Sequence, residues 1–311
     1  MKFRQIQTST SQTSVRLGMT VLELLVTMGL IALLITLLLP AVHYAREASR
    51  RTQCQNNFRQ IGIALHLHHD TFGTLPAGWT KISGTPAASG WIVQLLPFLE
   101  QTALQQTVKT EWPASFILAA VSSASPTNKW SALSKGLRAD LKTPTVLICP
   151  SDAAEPTFRL FEELQYGQPT SNDSLSDRIL MQLPHSNYIG VSGISDPDEP
   201  DSPEGEGVLV QRRGIAFRDL TNGLSNVAVV AERTARKLPS TWLGFHENGE
   251  DAAGRVLGYN WLGPNHPASD ECEFDSRHPG CIQMLFSDGH VRTVADEIDS
   301  DAYRSMAQRS R

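Results

Sequence analysis

From Met19 to Leu39 the chain is apolar except at Thr20, Glu23, Thr27 and Thr36, and Pro40 closes the run. At about 1.5 Å rise per residue this stretch covers roughly 30 Å, the hydrocarbon thickness of a bilayer, and predicts one transmembrane helix over 19–39. Beyond Pro40 the pattern changes. Cys54, Phe58, Ile61 and Leu65 recur at spacings of four, three and four, while Arg46, Gln53, Asn56 and Gln60 fall on the other side. That periodicity predicts a helix continuing over 40–70, bent near Pro40, whose apolar stripe packs on a folded body. It is expected to end between Asp70 and Gly73, before the turn chemistry of Leu75-Pro76-Ala77-Gly78.

Within the body, residues 71–311, the segment 90–101 forms a second apolar block, helical to about Pro97. Residues 107–145, with Pro113, Pro126 and Pro144, read as an insertion. Residues 195–206 hold six acids and three prolines and read as an exposed loop. Clustered carboxylates suit calcium, but the prolines and the lack of EF-hand spacing favour a solvated loop. Strands are predicted at 207–210, 215–217 and 227–232. Segments 282–287 and 290–294 flank Asp288-Gly289 and predict a hairpin. With a two-residue turn, Phe286 would face Val291 and Met284 would face Thr293. The predicted class is α+β, a long N-terminal helix packed on an antiparallel sheet.

The net charge of −5 argues against nucleic acid as a partner. Residues 1–18 carry Lys2, Arg4 and Arg16 without an acid, a basic leader. Arg46, Arg50, Arg51 and Arg59 follow the span, so charge asymmetry does not settle orientation. Gly18 stands before the apolar run, whereas a secretory signal places its small residues after it, so cleavage there leaves the helix on the mature chain. A carboxylate within a membrane helix costs about 2.5–3.5 kcal/mol, which calls for a partner at Glu23. The α-amino group of Met19, in the same or a neighbouring chain, is the candidate. The alternative is snorkelling to the headgroups.

Basic leader, Gly18, hydrophobic Met19 and Glu23 as fifth mature residue together resemble the type IV prepilin class. The resemblance implies a prepilin peptidase that cuts after Gly18 and methylates Met19, where Phe is usual. It implies other pilin-like subunits bound through the helix, contact with inner-membrane lipid, and a pilin-like fold. It also implies a cytoplasmic leader and an extracytoplasmic body in a bacterial inner membrane. A second resemblance runs through Cys54–Gly62 with His66 and His69, Trp91–Gln101, Cys149-Pro150-Ser151-Asp152, Asn187–Gly193, Phe217–Glu232 and Ser276–Gly280. It closes with nine residues between His278 and Asp288-Gly289. These motifs are similar to a large bacterial family of prepilin-like proteins whose body is a domain of unknown function, sometimes labelled solute-binding. Cys281 replaces a usual Gly, and His290 a common Ser.

Four cysteines in an exported domain suggest disulfides, with three possible pairings. Cys54 and Cys149 lie in the family motifs, and Cys272 and Cys281 are close in sequence, so 54–149 and 272–281 are the expected pairs. A zinc site would need tighter paired spacing, and no metal or cofactor is expected. His66, His68 and His69 read as a polar helix end. His278 is expected to bond hairpin backbone or to dock on Asp288, a structural motif with Gly289. There is no His-Glu-x-x-His, Gly-x-Ser-x-Gly or phosphate loop, so no enzyme is expected. The leading function is a processed, pseudopilin-like subunit of a secretion or pilus-like assembly. The alternative is a tethered solute- or carbohydrate-binding module using Trp242, Phe245, Tyr259 and Trp261 as an aromatic platform.

Overall fold

The computed structural model describes residues 20–121, 141–163, 179–198 and 204–310. Gly18, Met19 and the leader lie outside these residues, as do 122–140 of the expected insertion and 199–203 of the acidic run. The chain divides into two compact units, Met1–Ala48 and Ser49–Arg311.

In the first unit, helix α1 (Val21–Phe72) begins with a reciprocal cap. Thr20 N and Oγ1 donate to Glu23 Oε2 at 2.8 and 3.0 Å, and Glu23 N donates to Thr20 Oγ1 at 3.3 Å. This is a capping box, which satisfies helix-start donors otherwise left open. Glu23 therefore has a partner in Thr20, just ahead of the helix; the amine of Met19, the expected partner, lies outside the described residues. The large apolar side chains from Val21 to Leu39 are exposed, and α1 is long and apolar enough to cross a membrane.

The second unit opens with the remainder of α1, whose stripe Cys54, Phe58, Ile61 and Leu65 is buried as the periodicity predicts. The helix ends at Phe72. Gly73, at φ 76°, donates its N–H to His69 O at 2.7 Å and closes the C-terminus in the left-handed conformation. Next come β1 (Trp79–Lys81), β2 (Ala87–Gly90), α2 (Trp91–Leu95) and α3 (Thr102–Val121), then β3 (Thr157–Phe161), β4 (Ile179–Ser186) and β5 (Tyr188–Gly193). The rest comprises β6 (Ala228–Glu232), β7 (Ser240–Thr241), β8 (Gly244–His246), β9 (Leu257–Tyr259), β10 (Cys281–Phe286), β11 (Val291–Ala295) and α4 (Ser300–Ser305). Three sheets result, ordered β1-β2-β8, β11-β10-β6-β5-β9 and β3-β4-β7. All pairings among these strands are antiparallel except β5 with β9.

The five-stranded sheet is covered on both faces. Phe58 of α1 meets Tyr188 of β5 edge to face at 4.7 Å. A Cβ added at Gly62 would stand 3.1 Å from Leu285 Cδ1. On the opposite face Ile282, Met284 and Phe286 pack with Phe274, Tyr303 and Met306. All six residues of β10 are buried, with Gln283 the one polar side chain among them.

The hairpin register differs from the predicted one by a residue: Leu285 pairs with Val291 and Met284 with Arg292. The loop has three residues, Ser287-Asp288-Gly289, and Phe286 N donates to His290 O at 2.9 Å. Gly289, at φ 89°, takes the left-handed position such a loop requires, so the Asp-Gly signal was right about the turn and wrong about its length. Two of the predicted strands also do not form. Residues 207–210 are buried but irregular, and residues 217–219 are a 3-10 turn. Their backbone bonds go instead to isolated partners, such as Gly78 N to Val210 O and Leu75 N to Ile215 O. An apolar run reports burial, and here burial comes without a ladder.

The acidic run is not simply solvated at its described ends. Glu206 accepts from Ile194 N and Ser195 Oγ, and half-buried Asp198 accepts from Ala253 N at 2.9 Å. Burial first, then the Asp251 and Asp196 carboxylates, push the Asp198 carboxyl up to about 6 despite that bond. A folded-state value above the unfolded one means stability that is full below about pH 4 and fades as pH rises through about 6. Asp198→Asn is therefore expected to stabilise the protein at pH 7.5, on the order of 1 kcal/mol after allowing for partial exposure. Thermal melts should show the gain vanish near pH 4.

Candidate functional site

Four segments far apart in sequence converge where α1 meets the end of β6, the central strand of the five-stranded sheet. Helix α1 carries Cys54 into the core on its apolar stripe. Cys149 follows a 3-10 turn (Thr145–Leu147) and donates its N–H to Asn187 Oδ1 at 2.9 Å, which fixes it beside the start of β5. Glu232 is the last residue of β6, a strand buried along its whole length. His278 lies in the segment entering β10, ahead of Gly280, whose φ of 74° turns the chain into the strand.

Their donor atoms all lie within 4.8 Å of one another. The two sulfurs are 2.8 Å apart, Cys149 Sγ is 3.6 Å from His278 Nε2, and that nitrogen is 3.5 Å from Glu232 Oε1. Relative exposures are 0% for Cys54, 4% for Cys149, 2% for Glu232 and 1% for His278. Glu232 Oε2 accepts from Gln283 N at 3.1 Å, but Oε1 has no hydrogen bond among the described residues. The hydrogen bond to Cys54 and the His278 imidazole hold the Cys149 thiol below its ordinary range against the effect of burial. The same sulfur bond and burial push Cys54 up.

A polar shell holds the cluster in place. Asn57 Nδ2 donates to Ile148 O and to Tyr188 Oη, both at 3.1 Å. Asn187 Nδ2 donates to Asp152 Oδ2 at 2.8 Å and to Arg233 O at 3.1 Å. Asp152 also accepts from Ala235 N at 2.9 Å and from Arg277 Nε at 3.3 Å, with His185 Nε2 3.7 Å away. Burial works to raise the Asp152 carboxyl, yet His185, the Ala235 N–H and the Asn187 amide outweigh it and hold it far below the usual range.

The sequence-predicted residues fare unequally. Cys54 and Cys149 are brought together but without the expected disulfide, and all four cysteines are free thiols in the structure. Cys272 and Cys281 are not paired. Cys272 sits with Asp196 and Asp270, while Cys281 opens β10 opposite Ala295. Asp288 engages His290, at 2.6 Å to Nδ1, and not His278. Gly289 is the hairpin's left-handed residue. His66 and His69 pack on Phe217, His69 stacked at 3.9 Å and accepting from Phe217 N, and His68 bonds Thr74 O. These three anchor the end of α1. The aromatic platform does not form, since Trp242, Phe245 and Tyr259 are buried and Trp261 alone of that group is exposed, under Arg304 at 4.0 Å.

Glu232 was missed as a partner of the cysteines because the three intervals, 95, 83 and 46 residues, offer no local motif. Its one signal was a carboxylate closing an otherwise apolar strand, 227–232. Two thiols, an imidazole and a carboxylate shut away from water cannot receive a substrate of any size. They can be bonded to one another or share an ion.

No curated protein and no solved structure matches the chain. A family described as a protein of unknown function (DUF1559) matches residues 43–301, a range that takes in all four residues of the cluster. The chain belongs to the DUF1559 family, with a long apolar helix beginning ahead of the family region.

Proposed function

We propose that this protein is a prepilin-type structural subunit, cut after Gly18, methylated at Met19 and held in the inner membrane by residues 19–39 with its body outside. The observation that carries the reading is the run of exposed apolar side chains from Val21 to Leu39, a surface that water does not tolerate and lipid or neighbouring helices do. The basic leader and the position of Gly18 add the processing step. The buried cluster, closed to substrate, fits a structural body better than an enzyme. Burial of Trp242, Phe245 and Tyr259 removes the platform on which a tethered carbohydrate-binding module would rest.

The capping box changes what Glu23 contributes. Because Thr20 already partners Oε2, the cost of the carboxylate in the membrane does not by itself demand a second subunit. N-terminal mass spectrometry of the membrane-bound protein is the test. The expected mature chain starts at N-methyl-Met19, and Gly18→Ala is expected to keep the 18-residue leader. An intact leader on the wild type overturns the reading. In the same preparation Glu23→Gln, which keeps an oxygen for Thr20 and removes the charge, is expected to be processed normally and to lose crosslinks between neighbouring helices. Unchanged crosslinks would assign Glu23 to capping alone.

A further inference from the structure

We propose that Cys54, Cys149, His278 and Glu232 form a closed structural site for one zinc-class divalent ion. The donor set is the first argument. Two sulfurs, one imidazole nitrogen and one carboxylate oxygen are ligands for a borderline-soft ion and exclude calcium and magnesium, which take oxygen. Geometry is the second. Ligand bonds of about 2.0–2.3 Å in a tetrahedron set donor atoms about 3.3–3.8 Å apart. The Sγ–Nε2 and Nε2–Oε1 distances, 3.6 and 3.5 Å, fall in that range. The sulfurs, at 2.8 Å, must part by about 1 Å to reach it.

The third argument separates an ion from a disulfide, for which the sulfurs would instead close to about 2.05 Å. A disulfide uses only two of the four groups. It leaves Glu232 Oε1 buried without a hydrogen bond and with only the His278 ring beside it, at 3.5 Å, a costly state for a carboxylate. A divalent ion engages that oxygen, the imidazole and both sulfurs together. Binding takes the ion in as M²⁺ and releases the two thiol protons, with no change of oxidation state. Four protein ligands leave no open position, so the site is structural and not hydrolytic. Its effect is to tie α1, the Cys149 turn, β6 and the entry to β10 at a single point.

The test uses the full chain purified in detergent. Elemental analysis is expected to find about one zinc per chain, and cobalt exchanged for zinc should give the visible bands of a tetrahedral thiolate complex. Glu232→Gln and His278→Ala are expected to lower metal content at least about tenfold or to shift the cobalt bands. Since a variant can fail to fold, the wild type is also read directly, by native mass and by thiol alkylation before and after chelation. Protection of Cys54 and Cys149 that chelator alone removes supports the site. A metal-free wild type with a Cys54–Cys149 linked peptide in a non-reduced digest overturns it. So does metal content that neither Glu232→Gln nor His278→Ala changes in folded protein.

Discussion

Arg233→Met is expected to lower the melting temperature of the body by roughly 6–20 °C, a loss of about 3–5 kcal/mol. Arg233 is wholly buried, and no carboxylate among the described residues hydrogen-bonds it. Nε and Nη2 donate to Ser240 Oγ at 2.9 and 2.8 Å, Nη1 to Cys272 O and Leu257 O at 3.1 and 3.3 Å, and Nη2 also to Gly254 O. Burial, the largest influence, pushes the guanidinium down to about 10, so it stays charged at neutral pH. Methionine fills much of the volume and leaves three carbonyls and a hydroxyl short of a donor. Each buried orphan costs about 1–3 kcal/mol. Arg233→Lys, with one donor centre where the fork offers three nitrogens, should recover less than half the loss in a thermal melt.

Asp152→Ala is the second large effect, also about 3–5 kcal/mol. The side chain gathers the Asn187 amide, the Ala235 N–H and Arg277 Nε, with His185 behind them. Removing it leaves Asn187 Nδ2 only its bond to Arg233 O and loosens the side chain whose oxygen holds Cys149. The expectation is therefore a lower denaturation midpoint together with faster alkylation of Cys149, measured in parallel on native protein. Asp152→Asn keeps the shape and should fall between wild type and alanine. A destabilised protein whose Cys149 stays protected would separate Asp152 from the cluster.

Much of the helix could be read before any coordinates. Cys54, Phe58, Ile61 and Leu65 announced the buried stripe because a helix repeats its faces locally, and Gly73 marked its end for the same reason. The Asp288-Gly289 turn was legible too, but the hairpin register was not. A two-residue and a three-residue loop share the Asp-Gly signal, and all six residues of β10 are buried, Gln283 included, so its pattern shows no solvent face to choose between registers. Residues 207–210 misled in the same way, since their side chains are buried without a strand pairing. The cluster was half legible: the two cysteines stood out, whereas Glu232 and His278 join them only through β6 and the turn into β10. Local sequence holds no record of such an encounter.

Gly62 bears on that encounter from a distance. It lies eight residues beyond Cys54 on the same helix, about 12 Å along the axis, where a Cβ would stand 3.1 Å from Leu285 and 3.6 Å from the Gly289 backbone. The missing side chain is what lets helix and hairpin touch, so it serves as a gauge for the gap between them. A methyl group there asks the Leu285 side chain to give by a few tenths of an ångström, and a long side chain would press on the fit of α1 to the hairpin, the same helix that brings Cys54 to Glu232 and His278. The spacing of the buried donors is thus set partly by an atom that is not there.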